Sequence, residues 1–436
     1  MEISFLGAAG EVGRSCILIE SKNTKILLDA GVKLGPKIEY PELKDEMLKE
    51  IDATVISHAH LDHCGYLTHM YSRGYTAPTY ATKPTIEMMQ VLLSDYIRVS
   101  QARDVHKNVV SKIMNSSRML EFKQEVRIKD LTVSLIPSGH ILGSALIRVS
   151  DGKESVIYTG DINLSKTKLL NFADLRALEA DALIMESTNG GEDDIMKTEK
   201  ENIQTLTNII KGTILGGGKV IIPSFAVGRA QEVLLILDDY MNSGTIPKTP
   251  IYMDGMLNKI LRIHRHNVIY CRRELQTRIL MSDSDPFKSE NFIPVESKNS
   301  RNKIAHSPDS SIIVTTSGML TGGPVLFYLS KLGRDKMNTM IFVGFQAEGT
   351  PGRAIKDGER EIEIDGKKVH LSLDVKYVRL SGHADRKQLE SIPTKISGLK
   401  KIFLVHGELS KAESLKKELS KHFEVHIPTL GSRHRV

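Results

Sequence analysis

Five short apolar runs in this chain each lead to a residue able to hold a metal ion or a proton. Ile26-Leu27-Leu28 ends on Asp29, Thr54-Val55-Ile56 leads through Ser57 to His58, and Val156-Ile157-Tyr158 leads through Thr159 and Gly160 to Asp161. Ala182-Leu183-Ile184-Met185 ends on Glu186, and Lys401-Ile402-Phe403-Leu404-Val405 ends on His406. Short runs of this kind, rich in branched side chains, read as buried strands. One polar strand end could arise by chance. Five, all Asp, Glu or His, imply sheet edges converging on one site.

From about residue 191 to 345 the rhythm changes. A helical stretch carrying Ile203, Leu206, Ile209 and Ile210 precedes Gly216-Gly217-Gly218 and the strand Lys219-Val220-Ile221-Ile222. A second helix covers Gln231 to Tyr240. Pro250 to Met253 and Ser311 to Thr315 read as strands, Gly323 to Leu332 as helix, and Met340 to Val343 as strand. This alternation predicts a parallel sheet covered by helices, hence an α/β fold. The polar stretch from Leu280 to His306 reads as a long loop, and the basic tail Gly431-Ser432-Arg433-His434-Arg435-Val436 as disordered.

Composition sets outer bounds. The 436 residues are 40% hydrophobic and 26% charged, the balance of a soluble globular chain long enough for two or more domains. No apolar run approaches the roughly 20 residues of a membrane span, and the start MEISFLGAAGEVG lacks the basic leader of a signal peptide. Cys16, Cys64 and Cys271 are too few for a disulfide framework, which fits a reducing cytoplasm. The net charge of +6 tolerates a polyanionic partner without demanding one.

The chemistry concentrates in Ser57-His58-Ala59-His60-Leu61-Asp62-His63-Cys64-Gly65. Three imidazoles and a carboxylate within six residues suit zinc. His58 and His60 alternate and so face one side of an extended segment, while Asp62 and His63 turn to a second direction. That arrangement suits two ions better than one. His140, in Pro137-Ser138-Gly139-His140-Ile141-Leu142-Gly143-Ser144, and Asp161 and His406 at strand ends offer further ligands. Each alone reads as a loop or capping residue; with the H-x-H-x-D-H segment they read as one site.

These residues, in this order, resemble the metallo-β-lactamase fold and its β-CASP nuclease branch, which includes RNase J and the nuclease subunit of the cleavage and polyadenylation specificity factor. Asp29, His58-His60-Asp62-His63, His140 and Asp161 match the core motifs. Glu186 in Glu186-Ser187-Thr188, His383 in Ser381-Gly382-His383-Ala384-Asp385, and His406 match the branch-specific marks. The resemblance implies an αββα sandwich with an inserted β-CASP domain on a mainly parallel sheet: core at 1–190, insertion at 191–378, return of the core at 379–436. It implies two Zn2+ per chain, one on His58, His60 and His140 and the other on Asp62, His63 and His406, with Asp161 bridging. Asp29 would orient a ligand from behind, and Asp62, Glu186 and His383 would be catalytic. Activity would be hydrolysis of single-stranded RNA by two-metal activation of a bridging hydroxide, with His383 and Glu186 as an acid pair protonating the leaving oxygen.

The polar Gly-rich turns at strand ends of the insertion resemble segments that line the RNA groove in this branch. They contain Ser224 and Arg229, then Ser317, Gly318 and Met319, then Gly349 and Arg353. Backbone N–H groups there can approach phosphates, with the arginines adding charge-assisted contacts. A departure is Asn189, where the branch commonly carries Tyr. His264 and His266 read as a solvated basic helix face; His69, His106, His306, His370, His422, His426 and His434 have no motif context. The chain begins directly at the first core strand, which suggests a compact archaeal-type member without an N-terminal RNA-binding extension. The resemblance also admits a homodimer or association with other RNA-processing or decay proteins. Two rivals stand beside it: a glyoxalase II-like thioesterase on the same core, and a catalytically silent RNA-binding partner subunit. Endonucleolytic and 5′-to-3′ exonucleolytic modes use the same residues and are not separated by sequence.

Overall fold

The computed structural model describes every residue except 36, 101–104, 106, 107 and 283, so His106 lies outside the described residues. The chain forms two compact units. Met1–Lys166, Leu170–Ile195 and Gly382–Val436 make the first; Thr167–Leu169 and Met196–Ser381 make the second.

The first unit contains two seven-stranded sheets. One runs Arg433–Arg435, Glu2–Phe5, Ile17–Glu20, Lys25–Leu28, Ala53–Val55, Thr79–Ala81, Ser117–Met119. The other runs Glu424–His426, Lys401–Val405, Ala182–Glu186, Ser155–Tyr158, Ala145–Ser150, Leu131–Pro137, Glu125–Ile128. Successive strand residues point to opposite faces, and the sequence uses both faces. Val156, Tyr158, Ile184, Phe403 and Val405 join Ile3, Phe5, Ile19, Ile26 and Leu28 in one core between the sheets. Their neighbours Ile157, Leu183, Met185, Ile402 and Leu404 pack outward against Leu389, Ala412, Leu415 and Leu419 of helices Arg386–Ser391 and Leu409–Leu419. Each such side chain, fully buried, stabilises by about 1.5–3 kcal/mol.

Topology then places the polar strand ends. Ser155–Tyr158, Ala182–Glu186 and Lys401–Val405 are parallel neighbours, with Glu186 level with Val405. Asp161, Glu186 and His406 therefore emerge from the same edge. Lys25–Leu28 and Ala53–Val55 are also parallel, which puts Asp29 and His58 at one edge of the other sheet.

The second unit is built on a six-stranded sheet in the order Phe292–Pro294, Ile251–Asp254, Ile312–Thr315, Val220–Pro223, Thr339–Phe342, Asp374–Tyr377, with every pairing parallel. Helices Glu199–Leu215, Arg229–Asn242 and Pro324–Leu332 occupy the stretches where helices are expected. The first of these starts at a Thr198–Glu201 capping box.

Three expectations are corrected. The stretch from Leu280 to His306 is structured: Phe292–Pro294 is the edge strand of the sheet and Lys298–His306 a helix. The strand is too short and polar to show an alternation. The basic tail is ordered, because Arg433–Arg435 pairs antiparallel with Glu2–Phe5 and completes the first sheet. His264 is fully buried, its Nδ1–H donating to Ile260 O at 2.9 Å, and burial lowers its pKa to about 4. It belongs to the core, while His266 is exposed.

Candidate metal centre

The H-x-H-x-D-H segment is held from behind by backbone. Leu61–Cys64 forms one helical turn. Its carbonyls accept hydrogen bonds from Val32 N (Leu61 O, 3.0 Å), Ser15 N (Asp62 O, 2.8 Å) and Ala30 N (His63 O, 2.8 Å). Gly31 is required here, since a Cβ at that position would lie 1.7 Å from Asp62 O. Asp29 and His406 take left-handed φ values of 61° and 48°. Such conformations cost on the order of 1–3 kcal/mol, and hydrogen bonds offset them: Asp29 N to Val55 O at 2.9 Å, and His406 N to Ala8 O at 2.8 Å.

Two sets of potential ligand atoms made of the predicted ligands result, beside a third formed by Asp161, Glu186 and His406. His58, His60, His140 and Asp161 each present one atom within 4.8 Å of the others, and so do Asp62, His63 and His406. His60 Nδ1 lies 3.2 Å from both His58 Nε2 and His140 Nε2. Asp161 divides its carboxylate between the sets. Its Oδ2 is 3.4 Å from His58 Nε2 and from His140 Nε2, whereas its Oδ1 is 3.4 Å from His63 Nε2 and 3.3 Å from His406 Nδ1. His406 Nε2 faces Asp62 Oδ2 at 3.3 Å.

Outer hydrogen bonds fix which ring nitrogens carry lone pairs. His63 Nδ1–H donates to Asp29 Oδ2 at 2.7 Å, and His140 Nδ1–H to Gly382 O at 2.8 Å. Ser57 Oγ donates to Asp29 Oδ2 at 2.7 Å and so accepts from His58 Nδ1 at 3.0 Å. All three rings thereby turn Nε2 inward. Asp29 also accepts from Ser57 N and from Tyr158 Oη, at 2.7 and 2.8 Å. Ser57, Tyr158, the Gly382 carbonyl and Thr188, whose Oγ1 donates to His406 O at 3.0 Å, are partners that sequence reasoning missed. The adjacency of Ser57 to His58 was the only local signal.

The residues fit a cation. Among the described residues, His63 Nε2 and Asp161 Oδ1 are buried atoms without a hydrogen-bond partner, and they face each other. Leaving such atoms unsatisfied costs roughly 1–3 kcal/mol each. Burial, followed by the charge of His58, lowers His60 to about 3. Burial likewise lowers His58 and, strongly, His140. All three are then neutral lone-pair donors at pH 7. Burial opposes ionisation of Asp161 and Asp62, but His406 and His63 beside Asp161, and His63 and His406 beside Asp62, outweigh it and hold both carboxyls below the usual range. Burial pulls His63 down, yet Asp161, Asp29 and Asp62 raise it well above its ordinary value. A cation binding there must displace a proton. Cys64 stays outside the ligand sets, its Sγ directed to Ala59 O at 3.2 Å.

A second pair flanks this cluster. His383 Nδ1 lies 3.0 and 2.9 Å from the two oxygens of buried Glu186, and its Nε2 lies 3.8 Å from Asp161 Oδ2. Burial disfavours the imidazolium, but Glu186, then Asp161, raise His383 to about 9.

The expected RNA-contact residues all lie in the second unit, at the carboxyl ends of its parallel strands. Two turns there are interlocked: Gln346 Nε2 donates to Gly318 O at 3.0 Å, and Gly352 N to Met319 O at 3.0 Å. Ser317, Met319 and Arg353 are partly exposed, with Arg353 Nε on Asp357 Oδ2 at 2.7 Å; Gly349 has open space at its Cβ position. Ser224, Gly318 and Arg229 depart from expectation. All three are buried, and Arg229 Nη1 is turned inward onto Leu380 O at 3.4 Å.

Removing the charge behind His63 has a defined consequence. Asp29→Asn should lower metal affinity about 10–100-fold, the usual loss when a ligand's outer partner is changed. Chelator competition on the folded protein measures it, and unchanged affinity would show that Asp29 only supports the fold.

A two-sheet sandwich with two facing ligand sets at its strand ends defines a metallo-hydrolase of the metallo-β-lactamase type. The chain belongs to the β-CASP branch of that superfamily: it matches the metallo-beta-lactamase superfamily domain over residues 18–188, the Beta-Casp domain over 230–355 and the Zn-dependent metallo-hydrolase RNA specificity domain over 368–428. Its relatives include proteins named transcription termination factor FttA. That of Cenarchaeum symbiosum is 36% identical, over 99% of this chain and 70% of the relative. That of Methanocaldococcus jannaschii is 36% identical over 94% and 67%, and that of Methanococcus maripaludis 38% identical over 97% and 69%. A crystal structure of a protein of unknown function from Enterococcus faecalis V583 shares the fold, with a TM-score of 0.60 at 14% identity over 99% of both chains. No helix among the described residues is long and apolar enough to cross a membrane.

Proposed function

We propose that the chain is a zinc-dependent ribonuclease that hydrolyses phosphodiester bonds of single-stranded RNA in the cytoplasm, acting in transcript processing, decay or termination. The observation that carries the proposal is Asp161, with one oxygen toward each ligand set and the His383–Glu186 pair beside it. Imidazole and carboxylate donors in these numbers suit Zn2+. Two such ions, on His58, His60 and His140 and on Asp62, His63 and His406 with Asp161 shared, would supply Lewis-acid stabilisation of phosphoryl charge and a water acidified toward neutral pH.

The chain's own groups do the rest. Asp29, Ser57 and the Gly382 carbonyl hold His63, His58 and His140 in the tautomers that donate inward. Glu186 engages His383 Nδ1 and so directs the Nε2–H to the Asp161 side, where it would protonate a departing ribose oxygen. Ser317, Met319, Gly349 and Arg353 are proposed as the RNA-contacting surface of the second unit, with buried Ser224, Gly318 and Arg229 supporting it from within. The names of the relatives favour transcripts as the substrate.

The test is digestion of internally labelled RNA bearing a 5′ triphosphate, monophosphate or hydroxyl, with zinc content measured alongside. Internal fragments mark endonucleolytic cleavage; mononucleotides released from the 5′ end mark exonucleolytic trimming. Inert RNA combined with thioester turnover would replace the proposal with a thioesterase. RNA binding with far less than two zinc per chain would replace it with a silent binding subunit.

Arg353→Ala should weaken RNA binding and reduce the slope of log affinity against log salt by about 1, as for one lost phosphate contact. Binding titrations across salt concentrations measure it, and an unchanged slope places Arg353 outside the RNA path.

A further inference from the structure

We infer that Asn189 is a positioning residue for the proposed general acid His383. The inference rests on the ribonuclease reading and deepens it. Gly382, His383 and Ala384 form a turn in which each residue is tied to a different part of the centre. Gly382 O accepts from His140 Nδ1 at 2.8 Å. His383 Nδ1 meets Glu186 at 2.9 Å. Ala384 is held through both of its flanking peptides: its N–H donates to Ile162 O at 2.6 Å, and its carbonyl accepts from Asn189 Nδ2 at 2.8 Å.

Asn189 sits three residues beyond Glu186 on the same strand exit and is 3% exposed, so water does not replace its amide cheaply. Glu186 also accepts from Ile162 N at 2.8 Å. One segment, Glu186 to Asn189, thus holds the imidazole by its ring and the next peptide by its carbonyl. The far side of that segment is itself anchored, since the buried Arg386 guanidinium donates to Gly190 O and, at 3.0 and 3.1 Å, to Ser414 Oγ and O. Asn189 is a member of neither ligand set. Its effect on the reaction passes through the orientation of His383.

Asn189→Leu keeps the number and branching of the side-chain heavy atoms and removes the donor. On ordinary RNA it should lower kcat about tenfold, with KM within twofold and two zinc retained. On RNA with a 5′-thio leaving group, which needs little protonation, the deficit should shrink to within about twofold. In a His383→Ala background the substitution should add no further loss, because a residue acting through His383 has nothing left to position. An equal deficit on both substrates, or a full further loss in the double variant, overturns the inference. Hydrogen exchange of the peptide covering residues 381–385 gives a readout independent of activity. It should quicken in Asn189→Leu, and an unchanged rate overturns the clamp even if RNA proves not to be the substrate. Failure of the unmodified protein to cleave RNA, with quickened exchange in the variant, overturns the ribonuclease reading and leaves the clamp standing.

Discussion

Asp161→Ala is expected to reduce RNA cleavage by on the order of 10⁴-fold or more, the largest effect of any single substitution in the chain. Metal ions at such centres supply several kcal/mol of transition-state stabilisation, and each 1.36 kcal/mol is tenfold in rate. Among the described residues, Asp161 is the one side chain whose two oxygens face both ligand sets, at 3.3–3.4 Å from four imidazole nitrogens. Removing it leaves two clusters of histidines without the carboxylate between them, so zinc content should fall below two per chain. The fold should persist, because the side chain contributes no packing to the apolar core between the sheets. Asp62→Ala provides the graded comparison. It strips one ligand from the set with His63 and His406 and leaves the set with His58, His60 and His140 complete. One zinc should therefore remain, and cleavage should still be lost. Full activity in purified Asp161→Ala protein would remove the two-metal reading, and two zinc retained in both variants would remove Asp161 and Asp62 from the ligand sets.

Much of this centre was legible because strands advertise their ends. The strands Lys25–Leu28 and Ser155–Tyr158 are apolar after their first residue, and the first polar residue beyond each must lie at a sheet edge. Parallel pairing of neighbouring strands then brings those edges together, which is why Asp161, Glu186 and His406 meet. The partners behind the ligands were not legible. Tyr158 is an ordinary strand residue by pattern, and its hydroxyl reaches Asp29 from 129 positions away only because two sheets stack. Arg229 failed in the opposite direction. Its place in a Gly-flanked turn suggested a phosphate contact, but helix Arg229–Asn242 begins at that residue and carries the guanidinium inward. The tail misled for a related reason: three residues with two arginines have no strand signature until Glu2–Phe5 offers them a ladder.

His383→Ala is expected to slow cleavage by about 10²–10⁴-fold, the usual loss for a general acid or base, while both zinc ions stay bound. His383 belongs to neither ligand set, and the Gly382 carbonyl that orients His140 is backbone and survives the substitution. The pH profile carries the sign. A general acid works in its protonated form, so activity should be present below the pKa of His383 and fall as pH rises through it. Protein charges raise that pKa to about 9, chiefly through Glu186 against the opposing effect of burial. Cations held at Asp161 cancel part of its contribution, so the descending limb should lie at or below pH 9. The alanine variant should lack that limb. A 5′-thio leaving group departs with little protonation and should restore much of the variant's rate. Zinc loss from His383→Ala would instead make His383 a ligand and displace His406 from that role. Intact zinc without thio rescue would assign His383 to holding the phosphate, with the leaving-group proton supplied by another residue.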